Sequence, residues 1–143
     1  MPIPPELDRS DLLRLTPSEY LEQGYRDHLG GLRPELQGTF ATAAAVQLEE
    51  AETSPQELGA TLEALRQVLP WHDGPAPERL QDAVTEALGL VSSLYQQENN
   101  KGIVEWLGQC VERVKTPADI DAFLDHFTAV VRQYAVIIAV RTA

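Results

Sequence analysis

Three histidines offer the shortest route to chemistry, because each has an acidic neighbour: Asp27-His28, His72-Asp73 and Asp125-His126. A carboxylate beside an imidazole can orient it for metal binding or general-base work. Adjacent residues on a helix point about 100° apart, however, so Asp27 and Asp125 are poorly placed to grip their own histidines. The helical metal-binding spacings, His-Glu-x-x-His on one helix or Glu-x-x-His on two, do not occur. All three histidines are expected at ordinary surface or boundary positions.

The carboxylates come next. Glu49-Glu50-Ala51-Glu52 contains a Glu-x-x-Glu whose spacing sets Glu49 and Glu52 on one helical face. All-helical nucleotide pyrophosphohydrolases hold Mg2+ with Glu-x-x-Glu on one helix and Glu-x-x-Asp on another. The available partners here, Glu78 and Asp82, are four apart, so the second half of that pattern is missing. Mg2+ needs several oxygen ligands in near-octahedral geometry. A small Mg2+-dependent hydrolase using Glu49, Glu52, Glu78 and Asp82 is therefore the alternative. The plainer expectation is a solvated acidic helix end, which the helix dipole disfavours by ~0.3–1 kcal/mol.

The loop Trp71-His72-Asp73-Gly74 is bounded by Pro70 and Pro75 and is the least generic connection in the chain. Trp71, His72 and Asp73 are the candidate ligand or partner loop, since an indole on a preordered turn binds with little entropy lost. The plainer expectation, and the favoured one, is that Trp71 folds back over the core and Gly74 only supplies the turn. Nucleophilic catalysis has no support, because no Gly-x-Ser-x-Gly elbow or Gly-rich phosphate loop is present. The single cysteine, Cys110, lies on an apolar helix face, where a buried thiol is expected, and it suits a reducing compartment.

Charge narrows the partners. The net charge of -11 gives no electrostatic reason to approach a phosphate backbone, so nucleic acid is disfavoured. The N-terminus lacks the basic and apolar regions of a secretory signal, and no apolar run approaches the ~20 residues that span a bilayer. A soluble, cytoplasmic protein with no membrane partner is expected.

Helical spacing dominates the elements that would position these residues. Residues 1–15 are a Pro-rich arm whose Leu12, Leu13 and Leu15 need a surface to cover, so it should dock on the body formed by residues 16–143. Thr16-Pro17-Ser18-Glu19 reads as a capping box opening a first helix through Leu21, Tyr25, His28 and Leu29, ended by Gly30-Gly31. Pro34 should start a second helix through Ala43-Ala44-Ala45, small residues that let a neighbour approach closely. Ser54-Pro55 caps a third, with Leu58, Leu62, Leu65 and Leu69 as its seam. A fourth spans about Glu78 to Gln97, with Leu80, Val84, Ala87, Leu88, Val91, Leu94 and Tyr95 inward. Asn99-Asn100-Lys101-Gly102 reads as a turn or kink before a fifth helix carrying Ile103, Leu107, Cys110 and Val111.

Thr116-Pro117-Ala118-Asp119 opens the last helix. Ile120, Phe123, Phe127, Val130, Tyr134 and Ile137 form its seam, and Asp121, Asp125, Thr128 and Arg132 its solvated face. That polar line then runs out at Ala135, Val136 and Ala139, so the last two turns are apolar all round. They need burial by this domain or by a second chain. The expected fold is an all-α, single-domain bundle of five to six helices, with a long, central, largely apolar C-terminal helix. The expected function is a non-enzymatic interaction or regulatory role, with dimerisation, or capture of another protein, through Tyr134, Val136, Ile138, Ala139 and Val140. A weaker possibility is an acidic partner that masks a basic surface.

Overall fold

The computed structural model describes residues 8–95 and 101–142. Among them are seven α-helices and no strand: α1 Arg9–Arg14, α2 Pro17–Tyr20, α3 Thr39–Glu50, α4 Pro55–Val68, α5 Ala76–Tyr95, α6 Lys101–Glu112 and α7 Pro117–Thr142. Short 3-10 turns cover Pro34–Leu36 and Leu69–Trp71. The all-α architecture with a long C-terminal helix is as expected. The Pro-rich lead and the Asn99-Asn100 turn lie outside the described residues.

The long last helix forms where local signals agree. Asp119 N–H donates to Thr116 Oγ1 at 3.2 Å, and Asp119 Oδ2 accepts from the Thr116 and Lys115 amides at 3.1 and 2.9 Å. Free amides at the helix start are thus satisfied, and the Asp119 charge faces the positive end of the dipole. Beyond this cap α7 packs against α3, α4 and α5 and buries Phe123, Phe127 and Val130 completely. Trp106 of α6 meets Phe127 edge-on, with ring centroids 5.0 Å apart, and Tyr25 meets Phe123 in the same way at 6.4 Å. Such edge contacts add about 0.5–1.5 kcal/mol beyond simple burial.

The N-terminal arm docks as α1. Leu12 is fully buried with Ala43 and Val46, and Gln47 Nε2 donates to the Leu12 and Leu15 carbonyls at 2.9 and 2.7 Å. One small side chain, Ala43, admits the arm, while Ala44 and Ala45 face the main core.

Four local expectations are corrected. The first helix ends at Tyr20, not Gly30, and Thr16 makes no side-chain cap. Gly24 is left-handed, and Asp27 Oδ1 takes the Leu29 and Gly31 amides at 2.9 and 3.1 Å. Residues 24–33 therefore form a compact loop, closed by a bridge between Arg26 and Leu32. The second helix does not run unbroken from Pro34: the chain leaves helical geometry at Gly38 and restarts at Thr39. On α5, Leu94 is 78% exposed rather than inward, while Leu80, Val84, Ala87 and Val91 are buried. Gly102 is inside α6 rather than in a turn; a Cβ there would lie 2.7 Å from Ala51 Cβ, so glycine lets α6 approach the end of α3.

Candidate functional site

The histidines do not converge. His28 is exposed in the 24–33 loop. His72 is half-buried, with Nε2 at 3.5 Å from Glu86 Oε2 on α5 rather than on Asp73. His126 corrects the surface expectation, since it is completely buried on the core side of α7.

The hydrogen bonds of His126 fix its tautomer. Nδ1 lies 2.6 Å from the Leu36 carbonyl, which can only accept, so this nitrogen carries the proton. Nε2 then accepts from the Tyr20 hydroxyl at 2.7 Å, and that hydroxyl accepts from Trp106 Nε1 at 3.2 Å. The chain Trp106, Tyr20, His126, Leu36 ties α6, α2, α7 and the Pro34–Leu36 turn together. Burial lowers the His126 pKa to about 4, against a smaller upward pull from the Leu36 carbonyl, and burial raises Tyr20 well above the ordinary phenol range. The imidazole is thereby held neutral at pH 7, with both nitrogens engaged. The available signal was position: His126 sits three residues after Phe123 and four before Val130, on the apolar face.

The acidic cluster is placed differently from its sequence reading. Arg9 of α1 reaches Glu49 at 2.7 Å and Glu50 at 3.0 Å, setting a positive charge against the negative end of α3. Glu52 is not on the Glu49 face of a helix, because α3 ends at Glu50 and Glu52 adopts φ 60. Glu52 N–H donates to the Glu49 carbonyl and Thr53 N–H to the Leu48 carbonyl, at 2.9 and 3.0 Å. That is a Schellman stop with Glu where glycine is usual. Glu78 and Asp82 are exposed on the first turns of α5. Among the described residues no three His, Cys, Asp or Glu side chains gather in a way that could hold a metal.

Trp71 does not fold back over the core. It is 88% exposed at the end of the 3-10 turn. The loop is braced by Arg79 Nε, which donates to the His72 carbonyl at 3.0 Å, and Gly74 supplies a left-handed turn. Asp73 is exposed beside it. Cys110 is buried as expected; its thiol is pushed up by burial, and its carbonyl accepts from the Tyr25 hydroxyl at 2.5 Å.

The candidate interface residues of α7 divide into two groups. Tyr134 is buried, and its hydroxyl donates to the Thr53 carbonyl, so it belongs to the core. Ile138 is half-buried against the same core. Val136 and Val140 are 49% and 73% exposed, with Ala135 and Ala139 exposed beside them. The apolar turns thus present valines outward and rest on the body through Ile137 and Ile138.

No protein-family model matches the chain, and neither a curated protein nor a solved structure matches it significantly.

Proposed function

We propose that the protein is a non-enzymatic interaction or regulatory module that self-associates through the outer face of the C-terminal turns of α7. The observation that carries this is the exposure of Val136 and Val140 on turns where the polar face has already run out. Covering two valines and the alanines beside them removes apolar surface from water at roughly 25 cal/mol per Å2. A second copy presents the same face, so a two-fold pairing of α7 with α7 covers both at once. By length and composition α7 is also sufficient to cross a membrane. Its outward Asp121, Asp125 and Arg132 oppose that use, since charges in hydrocarbon are costly. The single buried cysteine suits a reducing compartment such as the cytoplasm.

Val136→Asp tests the interface. The half-exposed position tolerates the charge in a monomer, whereas a paired face does not. The expected result is full helicity by circular dichroism with half the wild-type mass. Full helicity with unchanged mass would remove α7 from the interface.

A further inference from the structure

We propose that the cleft between α4 and α7 binds a small-molecule oxyanion, a carboxylate or phosphate group, through Arg66 and Arg132. The cleft, of about 490 Å3, is lined by Gln37, Arg66, Asp125, Thr128 and Arg132 among others. That volume falls within the range of small-ligand sites.

Arg66 is held in place across the cleft. Arg66, in the last turn of α4, reaches across to α7, where Nη2 donates to Thr128 Oγ1 at 2.5 Å. Thr128 directs its own hydroxyl proton to the Leu124 carbonyl at 2.8 Å, so its oxygen is committed to accepting. This holds the Arg66 guanidinium over the cleft with its remaining N–H groups available. Arg132 lies four residues after Thr128, one helical turn along the same face.

The charge pattern points the same way. In a chain of net charge -11, Arg9, Arg26, Arg33 and Lys101 each pair with a carboxylate. Arg66 and Arg132 form no ion pair among the described residues, nor do Arg14, Arg79, Arg113 and Lys115; Arg66 and Arg132 are set apart by lining one cleft together, although Asp125 lines it too. Two planar guanidinium forks match the oxygens of a carboxylate or phosphate. Asp125 is the opposing element: its negative charge weakens anion binding and admits a donor group at that end of the ligand.

The test is a nuclear magnetic resonance titration of the full chain at low ionic strength, with inorganic phosphate and separately with succinate. Saturable shifts are expected at the Thr128 and Arg132 amides and the Arg66 side chain. Saturation by phosphate alone assigns a phosphate ligand, by succinate alone a carboxylate, and by both the shared head group. Arg66→Gln and Arg132→Gln should each weaken binding about tenfold. Asp125→Asn should tighten it about threefold through loss of like-charge repulsion. All three positions tolerate these changes without loss of core, which circular dichroism checks. The proposal is overturned if neither ion saturates the site, if both arginine variants bind as well as wild type, or if Asp125→Asn weakens binding.

Discussion

Acidification should expose the buried imidazole as a source of instability whose size follows from its surroundings. The ring of His126 meets the Tyr20 hydroxyl, the Trp106 indole and the Leu36 carbonyl, all uncharged at neutral pH. Its folded pKa is lowered to about 4 by burial, from 6.5 for an exposed imidazole. Between those values the unfolded chain binds a proton that the folded chain refuses, so stability falls as pH falls. At about pH 7 both forms are neutral and the effect is near zero; below about pH 4 it is complete, at about 3 kcal/mol. Roughly 2 kcal/mol of it should be lost by about pH 4.5. Carboxylates titrate in the same range, so the measurement is a difference: urea unfolding of wild type and His126→Gln at a series of pH values. At neutral pH the variant should be the less stable, because it breaks a satisfied buried network. The gap should shrink by roughly 2 kcal/mol on going to about pH 4.5. A gap independent of pH would mean that His126 takes up protons equally well in both states, and the sealed network would be refuted.

Glu52→Gly should raise stability by about 0.5–1 kcal/mol, since relief of a left-handed non-glycine residue exceeds the added freedom of the unfolded chain; a lower melting temperature would contradict the Schellman stop. Gly102→Ala should destabilise despite alanine's better helix propensity, because its Cβ meets Ala51 Cβ at 2.7 Å and Thr53 Oγ1 at 3.2 Å. The expected loss is about 1–3 kcal/mol by denaturant unfolding, and a gain would show that α6 and α3 are not in close approach. Mg2+ and a chelator should each leave the melting temperature unchanged, whereas a metal held by Glu49, Glu52, Glu78 and Asp82 would raise it with concentration.

Helices were legible where local signals are complete. Ser54 accepts from the Glu57 amide at 3.4 Å, and Thr116 and Asp119 cap each other's amides, so α4 and α7 start where sequence places them. The stretch Leu21, Tyr25, His28 and Leu29 has helical spacing too, but it was misleading. Asp27 offers its carboxylate to nearby amides, and Tyr25 is drawn to the Cys110 carbonyl of α6, a contact 85 residues away in sequence. Long separation also hid the partner of the acidic cluster: Arg9 lies 40 residues before Glu49. Glu52 was illegible for a different reason, because the left-handed stop after α3 carries none of the glycine or asparagine that announces one. The α7 interface was half legible. Spacing showed where its polar face ends, but only packing separates the buried Tyr134 from the exposed Val136 and Val140.

Self-association through the end of α7 is tested most directly by the absolute mass in solution, measured by light scattering over a dilution series. The monomer mass is 15.8 kDa. Self-association predicts twice that value at high concentration, falling toward the monomer on dilution. A monomer mass at every concentration would contradict it, and the exposed valines would then await a different chain.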